Sequence, residues 1–255
     1  MASTPGRGDG PTGRRIDMRR KGPTEGLPWT ALAEMGRYYR NRVPYHDQYM
    51  DYTGPEAMEG LLSPIIRLVE GDVAGRDLLE VACGTGNWTQ VLAERARSVV
   101  ATDLIGDYLD LARTKLGGAT NVAFKTADAY SLDVEAVGGP FDAAFAADWW
   151  SHIPRSMVDA FLVSLHGCLR PGARVVMVDM LRTGSFDLAF HRIDGEGNEV
   201  HLRTLPDGEP YLVVKNFPSE EELRGRLEGL AVDLGYHEDG PLRRWVLRYA
   251  LPDGR

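Results

Sequence analysis

Leu78-Leu79-Glu80-Val81-Ala82-Cys83-Gly84-Thr85-Gly86-Asn87-Trp88 decides how this chain is read. It begins as an apolar strand over 77–81, passes two glycines and enters a helix over 87–97. Glycines at such a turn let backbone come close to a ligand, and the helix N-terminus offers unpaired N–H groups. Downstream the pattern repeats: strand 98–102, helix 107–116, strand 122–125, strand 141–147 and helix 155–169. Pro171-Gly172 then turns the chain into strand 173–180. Strands alternating with helices imply an α/β fold with a mostly parallel sheet covered by helices on both faces.

Upstream, residues 55–70 carry Met58, Leu61, Leu62, Ile65, Ile66 and Val69 at helical spacing, with Pro64 placed to kink or split the helix. Residues 30–52 mix aromatics and charges. Residues 1–28 are rich in Gly, Pro, Ser, Thr and Arg and read as a disordered tail. After Met180 the pattern changes. Residues 183–198 read as loop, and Pro206-Asp207-Gly208 as the turn of a hairpin joining 199–205 to 210–216. Ser219 and Glu222 form a capping box for a helix over 219–230, and strands follow near 231–237 and 243–250. The organisation expected is a tail over 1–28, an N-terminal helical lid over 29–70, and a sheet domain over 71–255 carrying an inserted β-hairpin at about 183–217.

Composition narrows the class. A chain of 255 residues corresponds to about 1.7 domains at roughly 150 residues each. The net charge of −8 argues against a nucleic-acid binder working by bulk charge. Only Lys21, Lys115, Lys125 and Lys215 among the basic residues are lysines. Cys83 and Cys168 are too few for a disulfide framework, and no apolar run reaches the roughly 18 residues of a membrane span. The expectation is a cytoplasmic enzyme, monomeric or homodimeric, acting on a small molecule without nucleic acid or membrane. The histidines show no metal-ligand spacing, so no metal is expected.

Charge discriminates between cofactors. Asp103 ends the second strand, where a carboxylate can accept both ribose hydroxyls of an adenosine-bearing cofactor. A dinucleotide fingerprint needs a third glycine where this chain has Thr89. Glu80 would repel a pyrophosphate but attract an ammonium or sulfonium. That favours S-adenosylmethionine over NAD. An NAD-dependent oxidoreductase remains the alternative, as does a fold relative that binds the cofactor without transferring methyl.

Glu-x-x-x-Gly-Thr-Gly from Glu80, then Asp103, Ala127-Asp128-Ala129 and Pro171-Gly172, resemble the class I S-adenosylmethionine-dependent methyltransferases. The resemblance implies a Rossmann-like, seven-stranded sheet and S-adenosylhomocysteine as product. It also implies roles. Glu80, Ala82, Gly84, Thr85 and Gly86 would hold the methionine part, Ala146 or Ala147 would line it, and Tyr39 and Trp88 would also bind the cofactor. Asp103 would hold the ribose and Leu104 would pack on the adenine, with Asp128, Ala129 and Tyr130 around the adenine amine. Tyr38-Tyr39-x-x-Arg42-x-x-Tyr45-His46-Asp47, the run Ala147 to Pro154 and the 203–215 segment are similar to small-molecule methyltransferases of natural-product pathways. The phosphonate O-methyltransferases of dehydrophos biosynthesis are one example. This chain departs from them in having His46 where an aromatic is expected and Asp148 where a His is expected.

The acceptor side follows from chemistry. A hydroxyl or amine acceptor needs a base, for which His152 is the candidate. An ionised acid needs a cationic clamp, for which Arg42, Arg203 and Lys215 are candidates. Tyr38, Tyr45, Asp148, Trp149 and Trp150 complete the expected acceptor set, the aromatics excluding water from the transfer. The reaction expected is an O- or N-methylation in natural-product biosynthesis.

Overall fold

The structure is a computed structural model that describes residues 30–49 and 55–254. The expected tail over 1–28, and residues 29 and 50–54 of the expected lid, lie outside the described residues.

The chain runs α1 (Ala31–Arg42), a 3-10 turn (Val43–Tyr49) and α2 (Pro55–Val73), then β1 (Asp77–Val81) and α3 (Asn87–Ala93). It continues through β2 (Ser98–Asp103), α4 (Gly106–Leu116), β3 (Val122–Thr126), the single-turn α5 (Val134–Val137) and β4 (Phe141–Ala147). After short 3-10 turns come α6 (Val158–Gly167), β5 (Leu169–Met180), α7 (Gly184–Asp187), β6 (Phe190–Ile193), β7 (Glu199–Thr204), β8 (Pro210–Val214), α8 (Glu220–Leu227), β9 (Val232–Asp239) and β10 (Arg244–Ala250).

Seven strands form one sheet in the order β3-β2-β1-β4-β5-β10-β9. The first five are parallel and β10 is antiparallel to both neighbours. β1 lies inside the sheet between β2 and β4, and its residues 78–81 are buried, as a strand covered on both faces requires. One core layer packs α2 and α3 on the sheet through Met58, Leu62, Ile65, Val69, Trp88 and Phe145. The other face is covered through Phe161, Leu165, Leu223 and Trp245.

Several expectations shift. Pro64 lies inside an unbroken α2, with Leu61 turned outward. Pro171-Gly172 falls within β5 instead of preceding it. The register slips between Phe141 and Ala143, and Gly172 takes φ +72°, so the pair makes a bulge. The helix expected over 155–169 is a 3-10 turn leading into α6. Ser219 Oγ accepts from Glu222 N at 3.1 Å, but the Glu222 carboxylate goes to Arg155, so only half of the capping box forms.

The largest difference is the insertion. The 183–198 segment is not all loop: α7 and β6 form there, and β6 adds to the hairpin as a three-stranded antiparallel sheet, β6-β7-β8. Phe190 and Ile193, the apolar residues of β6, are spaced by three, so the period-2 signal of a strand is absent. α1 packs across β8, with Met35 and Tyr38 buried against Leu205, Tyr211 and Val213.

Candidate active site

β1 and β4 are neighbours while β2 and β5 lie on opposite sides of them, so the chain reverses its winding between them. That is where an open parallel sheet leaves a crevice at its carboxyl edge. The loop after β1 lines this crevice. Ala82, Gly84 and Gly86 take φ of +54°, +55° and +77°, which turns the chain sharply into α3. Asp103, at the end of β2, accepts from Gly84 N at 3.0 Å and from Ile105 N at 2.9 Å. These bonds fix its carboxylate beside the glycine loop. Burial raises its pKa, against the pull of the two amides.

Glu80 is 2% exposed, and its Oε2 has no hydrogen-bond partner among the described residues. Burial, with the nearby Asp103 charge, pushes its carboxyl up to about 8. Two carboxyls enclosed at one edge are stabilised as anions by a cation in the crevice. Leu104 is 56% exposed beside Asp103, an open apolar face. Asp128 is exposed and accepts from Tyr130 N at 2.9 Å through one oxygen. The Tyr130 hydroxyl is buried without a hydrogen-bond partner among the described residues, and its ring lies 5.8 Å from that of Trp149.

The opposite wall carries the acceptor-side candidates. His152 Nδ1 lies 2.7 Å from the carbonyl of Val214. A carbonyl only accepts, so Nδ1 carries the proton and Nε2 holds the free lone pair. Burial, then the charges of Lys215, Arg203 and Arg42, hold the imidazole neutral, well below its ordinary range. Tyr39 packs edge-on against it with ring centroids 5.6 Å apart. Arg42 lies over Tyr38, Tyr39 and Tyr49, and its Nε is buried without a hydrogen-bond partner among the described residues. Arg203 pairs with Tyr211 across β7 and β8, and its guanidinium lies over Phe186. Tyr45 is half-buried in the 3-10 turn.

Four expected site residues are placed elsewhere or otherwise engaged. Trp88 is buried on Phe145 in the core layer, because the first turn of α3 faces α2 there. Trp150 is core as well, edge-on to Phe161, while the adjacent Trp149 stays half-buried near Tyr130. Asp148, at φ +52°, is bound by Arg244. Lys215 is 3% exposed; it donates to Ser151 Oγ at 2.6 Å and lies 3.5 Å from the buried Asp179. Its charge is therefore neutralised internally, and of the three clamp candidates Arg42 and Arg203 are left with no carboxylate ion pair among the described residues. Ala129 is buried, so only its backbone faces the edge. Ala147 is half-buried at the end of β4.

Sequence reasoning missed Asp179 and Ser151. Asp179 accepts from Ser151 N at 2.8 Å and from Ser151 Oγ at 3.0 Å, and so holds the turn that carries His152. It also gave no role to His46, whose ring stands 3.5 Å from where a side chain on Gly84 would begin. His46 packs on Tyr108 as an aromatic, its pKa lowered to about 3 by burial and the Arg42 charge.

Comparison with known proteins agrees with this geometry. Residues 78–172 match the family model described as a methyltransferase domain. The chain is 27% identical over 193 residues to the ubiquinone biosynthesis O-methyltransferase of Xanthomonas oryzae pv. oryzae, covering 74% of this chain and 77% of that one. It is 31% identical over 132 residues to the malonyl-[acyl-carrier protein] O-methyltransferase of Serratia marcescens, covering 48% and 46%. Among solved structures, the DhpI–SAH complex superimposes with a TM-score of 0.68 at 28% identity, over 88% of this chain and 98% of that one. The DhpI–SAM–HEP complex gives 0.67 at 28%, over 87% and 98%.

The chain is an S-adenosylmethionine-dependent methyltransferase.

The residues of this methyltransferase fit the cofactor. The unpartnered Glu80 oxygen suits a cationic methionine end, Asp103 a diol, and the bare Leu104 face a purine ring. Among the described residues no group of three or more His, Cys, Asp or Glu side chains is placed to hold a metal, and no helix is long and apolar enough to cross a membrane.

Glu80 makes the enzyme pH-sensitive in a defined sense. Its folded pKa near 8 lies above the unfolded value of 4.5. Between those values the free folded state holds a proton that the unfolded chain has released, so stability falls as pH rises through that window. A cation in the site favours the ionised form. Cofactor affinity should therefore climb with pH, approaching about tenfold per unit below pH 7, and level off near 8. Calorimetric titrations with S-adenosylhomocysteine across pH 6–9 check this, and Glu80→Gln should bind more weakly with a flatter profile.

Proposed function

We propose that this methyltransferase O-methylates a small acidic molecule, attacking through an ionised oxygen. The observation that carries this reading is the company kept by His152. Its Nδ1–H goes to a main-chain carbonyl, and the charges that shift it are all cationic. An imidazole acting as base is favoured by a carboxylate on its other nitrogen, which stabilises the imidazolium. Here protonation is opposed by burial and by the Arg42 and Arg203 charges, whereas an anion between those two arginines would be stabilised by them.

Bound S-adenosylmethionine supplies a methyl group on a sulfonium and departs as neutral S-adenosylhomocysteine. The chain supplies alignment and a dry site. Arg42 and Arg203 hold the acid, His152 Nε2 accepts a hydrogen bond from a neighbouring hydroxyl of the acceptor, and Tyr39 and Trp149 exclude water. Residues 29–70 serve as the lid and the β6–β8 sheet as the wall of the acceptor site. A cytoplasmic monomer or homodimer serving a natural-product pathway, with no nucleic-acid partner, suits the net charge of −8. The resemblance to phosphonate O-methyltransferases supports the anionic acceptor.

The test is incubation with methyl-labelled cofactor and a panel of small phosphonates, carboxylates, phenols and amines, read by mass spectrometry. Labelled esters of the acids support the reading; label found only on phenols or amines overturns it. Asp103→Ala should weaken S-adenosylhomocysteine binding by about 10- to 100-fold, the scale of one charge-assisted hydrogen-bonding group, and leave acceptor KM nearly unchanged. A larger effect on the acceptor would remove Asp103 from the ribose role.

A further inference from the structure

The 3-10 turn after α1 is fastened to the glycine loop by a compact polar cluster. Asp47 Oδ1 accepts from Thr85 Oγ1 at 2.7 Å and from Asn87 Nδ2 at 3.5 Å. Its Oδ2 lies 2.7 Å from Lys115 Nζ on α4. Lys115 in turn donates to Thr85 Oγ1 at 2.8 Å and to Asn87 Oδ1 at 2.9 Å. Thr85 is 1% exposed, while the Asp47 and Lys115 side chains are 45% and 25% exposed, so the cluster joins a buried loop residue to a surface ion pair. Beside it, His46 closes over Gly84, and Tyr108 on α4 donates to the carbonyl of Tyr39 at 3.0 Å. α1 and the turn after it are thus attached at two places, to β8 on the acceptor side and to this loop on the cofactor side.

We propose that Asp47 and Lys115 form a latch that couples the N-terminal segment to the cofactor loop, making both of them positioning residues that set how long cofactor and product stay bound. The proposal rests on the assignment of the glycine loop to the cofactor. Thr85 and Asn87 flank Gly86 at the start of α3, so any movement of the turn that carries Asp47 pulls on the loop. Opening the latch loosens the loop, and a loop ordered by its ligand favours the closed latch, as linkage requires. The network is partly exposed, so its effect is modest and salt-sensitive.

Two readouts test it. In the ligand-free protein, Asp47→Asn should speed amide hydrogen exchange at residues 84–87 by about fivefold, the scale of one good ion pair. In stopped-flow displacement, the same variant should release S-adenosylhomocysteine about fivefold faster, with Lys115→Met giving a similar change and the double variant no more than either. Asp47→Glu should restore part of the slow release. Raising salt from about 0.1 M to about 1 M, which shortens screening from about 10 Å to about 3 Å, should speed release from the unaltered protein and not from Asp47→Asn. Release and exchange unchanged at an unaltered melting temperature, or single effects that simply add, overturn the latch. If Asp47→Asn does not fold, Lys115→Met takes its place in the exchange, release and salt measurements, with the same outcomes expected and the same outcomes overturning the latch. No S-adenosylhomocysteine binding by the unaltered protein would refute the cofactor assignment instead, and the exchange experiment would then judge the contact alone.

Discussion

Gly86→Ala should abolish measurable cofactor binding and lower stability by about 2–5 kcal/mol, the sum of about 1–2 for the backbone and about 1–3 for overpacking. Gly86 sits at φ +77°, a conformation that costs an L side chain free energy before any contact is counted. A methyl there would lie 2.8 Å from Ala112 Cβ, 3.2 Å from Ala112 Cα and 3.2 Å from Leu116 Cδ1. One of those atoms is backbone of α4, so the clash is relieved only by moving α3 away from α4, and the loop moves with it. Gly84→Ala makes the control. Its φ is +55°, but its methyl would meet only the His46 ring, at 3.5 Å, an ordinary contact. Thermal melts and calorimetry with S-adenosylhomocysteine separate the two. If both alanine variants lose the same stability, close approach of α3 and α4 is not what demands a glycine at 86.

The second large effect is expected at Arg203. With an acidic acceptor, Arg203→Ala should reduce kcat/KM by about 10- to 100-fold, chiefly through acceptor KM, with S-adenosylhomocysteine binding retained. This is the scale of a lost charge-assisted pair. Arg42→Ala should act in the same direction, tempered because its guanidinium also rests on three tyrosine rings. Arg203→Lys should rescue only part, since an ammonium does not reproduce the planar fork. His152→Ala should cost less than either arginine, roughly tenfold or below, because an already ionised nucleophile needs no base. The reverse ordering, with His152→Ala the most damaging and Arg203→Ala mild, would indicate a protonated hydroxyl or amine acceptor. Steady-state kinetics with a single acid acceptor reads all four variants.

The strand, glycine loop and helix at the carboxyl edge of the sheet were legible in sequence because their determinants are local. A strand, two glycines and a helix start sit within one short run, and Asp103 ends the next strand by the same logic. The acceptor wall was less legible because its determinants are long-range. Nothing near Lys215 in sequence reveals that Asp179 and Ser151 absorb its charge. Adjacent tryptophans gave no indication that Trp150 enters the core while Trp149 stays near the edge; that follows from the φ of Asp148 and the turn after it. β6 escaped notice because its residues lack alternation, and it is a strand only because β7 offers it an edge. Lys115 was noted in sequence only as one of four lysines, because its ties to Asp47 and Thr85 depend on how α4 packs beside the loop.

The bond from His152 Nδ1 to the Val214 carbonyl has an evolutionary consequence. The tautomer is dictated by a main-chain atom, so replacing the valine side chain leaves it intact. A one-residue insertion or deletion in the turn at Pro206-Asp207-Gly208 would instead shift β8 by one position and turn that carbonyl to the other side. Relatives that keep every side chain around His152 but differ in the length of this turn should therefore present the other ring nitrogen to their acceptors. Their chemistry would diverge through loop length while the residues aligned at the site look unchanged.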